Sequence, residues 1–291
     1  MSEAQPDKKR VTPFNLFVAV VTIAIVQLFG LGVTRQTIVP YQQIVNSTGP
    51  AGPAGPAGTT PAGSIFNAVF LVGFAFAATL VLVWVLRRKM VRSFKTLIFG
   101  SVAFSAFFLN LITVDSVAYQ YLPPSLELPL VFGSSFLLVA LVAYVVFVKN
   151  VLWLSTVILA LIGAEVGSFF ALTLPLYTAI LLPIAFSAYD IYAVFRGPLK
   201  QLISIDSNVA LAGMSIKAGE FTLGLGDVVF YTMLPSIALA YLPISAPFAT
   251  IIAIDAGVAV TLFLLSKKRL LPGLPIPMLL GMLVLGFYFL I

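Results

Sequence analysis

Asp190 and Asp227 each stand inside a long apolar run, where an acidic side chain is out of place. A carboxylate at the centre of a membrane helix costs at least about 2.5–3.5 kcal/mol, so such residues mark functional sites by default. Of the 10 acidic residues in the chain, Asp115, Glu165, Asp190, Asp227 and Asp255 fall within apolar runs. Carboxylate chemistry on a peptide bond needs two of them together, which makes depth the useful filter. Asp190 lies about five residues before the end of one run and Asp227 about five after the start of the next. At a rise of 1.5 Å per residue both sit about 8 Å below the same boundary. Sequence-adjacent helices usually pack as neighbours, and Gly224 and Gly226 are expected to let the second helix approach closely. Two carboxylates at one level share a proton, because like charges a few Å apart do not both ionise easily. One then serves as general base on water, and the other polarises and protonates the peptide carbonyl. Spacing does not say which does which. It also leaves a second reading open, in which each aspartate only satisfies a polar group between helices. Glu165 and Asp255, near mid-membrane by count, add a third: a carboxylate-lined ion or proton transporter or channel. Asp115, near the outer end of its run, reads as solvated.

Composition removes most other chemistries. The chain is 60% hydrophobic and 9% charged with mean hydropathy +1.11, whereas soluble domains carry about 25% charged residues. It is read as an all-α polytopic membrane protein. With 0 cysteines and 0 histidines, no disulfide, no zinc site of His or Cys type and no Ser-His hydrolase can be built. Every lysine lies outside or at the edge of a span, which disfavours a Ser-Lys dyad. No metal and no organic cofactor is expected.

The elements that must carry the aspartates follow from the apolar runs, each near the 20 residues that cross about 30 Å of hydrocarbon. Nine are expected, at about 14–33, 64–86, 96–117, 128–148, 152–172, 176–195, 222–242, 245–265 and 274–291. The first is too long for the apolar part of a signal peptide and no small-residue cleavage site follows, so it is read as a retained span. A polar loop is expected at 34–63, with glycine at every third position from Gly49 to Gly58; three triplets are too few for a triple helix and read as an extended linker. Of 16 Lys and Arg residues, all but Arg35 fall on the N-terminal side of the alternating loops. This positive-inside bias puts the N-terminus in the cytoplasm and the C-terminus outside. It also accounts for the net charge of +6 without nucleic acid. The organisation expected is one membrane domain over 1–291, with a six-helix part at 14–195, a cytoplasmic loop at 196–221 and a three-helix part at 222–291.

On two of these stretches the sequence resembles the presenilin and signal peptide peptidase family, aspartyl proteases that cut within membranes. Tyr189-Asp190, within Ser187–Phe195, resembles the family's YD motif, and Gly224-Leu225-Gly226-Asp227 its GxGD motif. Pro272-Gly273-Leu274, followed by Pro275, is similar to the family's PAL triplet, with glycine in place of the usual alanine, a swap expected to be mild. The short 196–220 loop is closest in character to archaeal members. The resemblance implies a nine-helix presenilin-like fold and intramembrane aspartic endopeptidase activity, with Asp190 and Asp227 as the catalytic pair. It implies that Gly224, Leu225, Gly226 and the Pro272-Gly273-Leu274 loop shape the site, with Tyr189 supporting. Substrates would be transmembrane helices within the bilayer, and the bias in charge gives the presenilin-like orientation of a multi-pass cell-membrane protein. Oligomeric state and self-cleavage in the 196–220 loop are left open. Ser215–Leu223 mixes polar and apolar residues, and reads either as a plain loop or as an edge on which an extended substrate could add as a strand.

Overall fold

A computed structural model describes residues 12–47, 61–148, 152–197, 215–218, 221–267 and 271–291. The helices run in chain order: α1 (Pro13–Ser47), α2 (Pro61–Arg87), α3 (Val91–Tyr121), α4 (Pro124–Ala143), α5 (Leu152–Thr173) and α6 (Leu176–Phe195). A two-stranded hairpin, β1 (Ser215–Ala218) and β2 (Phe221–Gly224), follows, then α7 (Leu225–Tyr241), α8 (Ser245–Lys267) and α9 (Pro275–Leu290). A π-helical turn, Tyr144–Val148, extends α4. Seven of the helices are long and apolar enough to cross a membrane; α7 and α9 are shorter.

The two short helices matter most. Seventeen residues of α7 span about 25 Å, less than the roughly 30 Å of hydrocarbon. The expected seventh span begins at 222, but Phe221–Gly224 is strand and the helix starts at Leu225. The register pairs Ile216 with Leu223 and Lys217 with Thr222. Ile216 and Leu223 are buried while Lys217 and Thr222 are exposed. This alternation along a two-residue period holds the segment as a half-buried ribbon. The Lys217 amide donates to Thr156 Oγ1 at 3.1 Å, tying β1 to α5. Likewise α9 begins at Pro275, after a non-helical stretch, 271–274. Irregular backbone at membrane depth persists only where protein or a cavity surrounds it, and both irregular stretches meet at the aspartates.

The expected loop at 34–63 also begins later, since α1 continues to Ser47. Thr34 and Thr37 are buried, and their hydroxyls donate to the carbonyls of Gly30 (2.9 Å) and Val33 (2.8 Å), so polar residues continue the helix inside the bundle. The glycine triplets lie outside the described residues.

α7 is the axis of the fold. It packs along α5 and α1 and touches α6, α8 and α9. Gly163 and Gly167 make the α5 contact possible. A Cβ at Gly163 would meet Leu225 Cδ1 and Val228 Cγ1 at 3.0 Å, and one at Gly167 would overlap the Val229 carbonyl oxygen. Small residues at this spacing let helices approach where lipid gives no hydrophobic drive. Thr34 Oγ1 also lies 2.9 Å from Ser236 Oγ between α1 and α7, where it can accept the Ser236 hydroxyl proton, and Ser168 Oγ donates to the Gly30 carbonyl at 2.9 Å between α5 and α1.

Candidate active site

Asp190 lies in the last turns of α6 and Asp227 in the first turn of α7. Both reach the loop before α9. The Leu274 amide donates to Asp190 Oδ2 at 3.1 Å. On the neighbouring residue, a Cβ built at Gly273 would lie 2.7 Å from Asp227 Oδ2. The two carboxyl groups therefore converge on consecutive residues of one loop, which sequence separation alone does not require. Both aspartates are partly buried.

Asp227 is held from behind as well. The Gly224 amide, at the start of α7, donates to Asp227 Oδ2 at 3.3 Å. A first-turn aspartate reaching back in this way also sits favourably at the positive end of the helix dipole. Gly224 has ordinary extended angles, φ −67° and ψ 143°, so glycine is not needed there for backbone freedom. Space is the constraint: a Cβ at 224 would come to 3.3 Å from Asp227 Oδ2. Asp227 is the third residue of α7 rather than about the sixth. The residues expected to open the seventh span form β2 instead.

The two motif glycines divide the work differently from expectation. A Cβ added at Gly226 would meet nothing within 4 Å, so this glycine brings no helix close. With Leu225 it instead lines a cavity of about 690 Å³ between α2, α3, α5 and α7, whose other walls include Phe74, Ala78, Leu97 and Val166. Gly273 approaches the Asp227 carboxyl closely. The 2.7 Å contact means that an alanine there would require the Asp227 carboxyl or the loop to shift. Pro272 and Leu274 are buried beside it.

Tyr189 turns away from the aspartates. Its hydroxyl donates to Thr79 Oγ1 of α2 at 3.1 Å, and its ring meets Phe76 and Phe186 edge-on at 6.4 and 6.2 Å. It anchors α6 to α2. The residue that sequence reasoning misses is Tyr231, buried one turn beyond Asp227, whose hydroxyl donates to the Gly273 carbonyl at 2.9 Å. The i, i+4 spacing from Asp227 is the available signal. Phe186 and Phe230, with ring centroids 4.8 Å apart, close the α6–α7 contact. Among the described residues no group of three His, Cys, Asp or Glu side chains is placed to hold a metal ion. Glu165 lies on α5 and Asp255 on α8, and Asp255 is within electrostatic reach of Tyr231.

Fold and site together define a polytopic helical membrane protein with carboxylates gathered at an interrupted helix. The presenilin family model matches residues 212–291. The chain is 39% identical over 127 residues to Presenilin-B of Dictyostelium discoideum, covering 40% of this chain and 26% of that protein. It is 39% identical over 87 residues to a presenilin-like protein of Arabidopsis thaliana, covering 29% of this chain and 21% of that protein. These matches thus span about a quarter or less of the relatives' own length. A solved presenilin family intramembrane aspartate protease superposes with a TM-score of 0.63 at 19% identity, covering 93% of this chain and 98% of that one. The chain shares the fold of that solved protease across nearly its whole length, and the presenilin family model matches its residues 212–291.

Proposed function

We propose that the chain is an intramembrane aspartyl protease that hydrolyses peptide bonds within transmembrane segments, with Asp190 and Asp227 as its catalytic pair. The observation that carries this reading is the convergence of both carboxyls on Gly273-Leu274. Two carboxyls bracketing one peptide unit hold a single proton between them. The ionised one takes a proton from water as it attacks the scissile carbonyl. The protonated one gives its proton to the carbonyl oxygen, forming a gem-diol. As that intermediate collapses, the carboxyl that took the water proton passes it to the leaving amine, and the other recovers its proton from a gem-diol hydroxyl, so the pair again holds one proton. Leu274 N–H and Gly224 N–H each fix one carboxyl in place, which is the pre-organisation such chemistry needs.

A helical substrate must be unwound before its carbonyls are reachable. The cavity beside Leu225 and Gly226 gives a transmembrane segment an apolar place to lie, and the hairpin offers an adjoining strand on which an unwound stretch could pair. Pro272, Gly273 and Leu274 would then close the site from the α9 side. We further propose the presenilin-like orientation in the cell membrane, with the N-terminus cytoplasmic, the C-terminus outside and substrates entering with their N-termini outside. The charge bias across the loops supports it. Cleavage only of oppositely oriented substrates would contradict that orientation.

Incubating the purified protein in detergent with a transmembrane peptide, and identifying products by mass spectrometry, tests the assignment. Asp190→Ala and Asp227→Ala should each lower the rate at least about 10³-fold, while Asp255→Ala should leave cleavage intact. Unchanged cleavage in either aspartate variant would refute the pair. Ion flux in liposomes, lost only on changing Glu165 or Asp255, would favour the transport reading instead.

A further inference from the structure

The cavity beside Leu225 and Gly226 is apolar except at one place. Among the described residues, Ser101 and Ser105 of α3 are the only polar side chains that line it, set among residues such as Val81, Leu97 and Ile162. Thr96 and Ser116, elsewhere on α3, turn their hydroxyls onto their own helix, donating to the carbonyls of Arg92 at 3.0 Å and Ile112 at 2.7 Å. Ser101 and Ser105 make no such bond among the described residues, so each keeps a donor and its lone pairs for whatever enters the cavity.

Their spacing says what the pair fits. Four residues apart on one helix, the two side chains share a face and stand about 6 Å apart along the axis. Alternate residues of an extended chain, whose carbonyls point to the same side, are about 6.6 Å apart. The match is to an unwound peptide. A helical one has its carbonyls bonded internally, and a lipid chain carries no group for a hydroxyl to bond. Each backbone group that unwinding sets free is costly in apolar surroundings, and no other side chain in the lining can meet it. The cavity reaches Leu225 and Gly226, next in sequence to Asp227, so an opened stretch held there leads toward the carboxyl pair.

We propose that Ser101 and Ser105 are positioning residues that donate their hydroxyl protons to two alternate backbone carbonyls of the opened substrate, favouring the unwound form over the helix. The proposal deepens the protease reading and rests on it. A helical substrate has no free carbonyls to offer, so the pair acts after binding, on the step that opens the chain. Because it grips backbone, it imposes no side-chain preference at that place.

The test is steady-state cleavage of a transmembrane peptide by the full chain in detergent, comparing threonine with valine at each position, since the two are alike in shape and differ in the hydroxyl. Ser101→Val and Ser105→Val should each lower kcat about fivefold, the worth of one neutral hydrogen bond, and the double change at least about tenfold. KM and the thermal midpoint should stay near those of the parent. Ser101→Thr and Ser105→Thr should keep kcat close to the parent's. If a valine form does not fold, Ser101→Ala and Ser105→Ala, which only remove atoms from the cavity wall, carry the comparison. Equal kcat in the threonine and valine forms, or a change confined to KM, would overturn the proposal and assign the cavity to a lipid chain or a helical peptide. Cleavage by the parent that is lost in Asp227→Ala would then leave the protease reading standing. A parent that cleaves no transmembrane peptide would overturn both.

Discussion

α7 and α2 are both apolar helices beside the same cavity, yet they are built in opposite ways. In α7 every residue from Val228 to Ala238 is buried by protein. In α2 only 17% of the membrane-spanning window is buried, and Phe66, Phe70, Phe74 and Trp84 are exposed. The helix that carries Asp227 is fixed on all sides; the helix across the cavity from it faces lipid. Positions with few buried contacts open most readily, so on the proposed reading this asymmetry sets a rigid wall carrying Asp227 opposite the wall through which a substrate would come. If the proposed pair is catalytic, reacting groups on a locked element and access through a looser one would suit a reaction on a lipid-embedded substrate.

The sharpest break of the comparison is a pair of glycine substitutions. Gly167→Val drives a side chain into the Val229 backbone of α7, and overpacking of this kind costs about 1–3 kcal/mol or more. It should markedly lower the thermal midpoint and the yield of folded protein. Gly273→Ala comes next. Its Cβ would displace the Asp227 carboxyl, and small misplacements of a reacting group cost up to about 10²-fold. The expected signature is a lower kcat with KM nearly unchanged, seen in steady-state peptide cleavage; parent-like kcat would mean that the loop yields freely. Tyr231→Phe leaves the Gly273 carbonyl without its partner, at about 1–3 kcal/mol, so a drop in kcat of about tenfold is expected, smaller than for Gly273→Ala. Gly226→Leu fills the cavity rather than the site and should raise KM for a transmembrane peptide with little change in thermal midpoint. The smallest effect belongs to α2. A Cβ at Gly73 meets nothing within 4 Å, so Gly73→Ala should change stability by less than about 0.5 kcal/mol.

What can be read from the sequence divides along the same line. The sixth span, expected at 176–195, forms a helix over Leu176–Phe195, because Pro175 and the polar segment after it bound an uninterrupted apolar run. The seventh helix starts later than its apolar run suggests, since Phe221, Thr222 and Leu223 are apolar enough to extend a span but alternate in a way that suits a strand. Asp190 and Asp227 stand out because charge in an apolar run has few innocent explanations. Gly273 looks like a mild swap in the sequence, because its importance rests on the position of a side chain 46 residues earlier in the chain. Tyr231 is hidden for a related reason: a tyrosine in an apolar helix looks like core until its partner carbonyl is placed. Long-range approach of backbone to side chain leaves no periodicity, and that is the part a single sequence hides.

The central claim is that Asp190 and Asp227 work as one unit around a shared proton, and the pH dependence of peptide cleavage tests it most directly. A pair holding one proton predicts a bell, with the rate falling at low pH as the second carboxyl is protonated and at high pH as the shared proton is lost. Asp255→Asn should keep both limbs. A single sigmoid rise to a plateau, as a lone carboxylate base would give, would contradict the account.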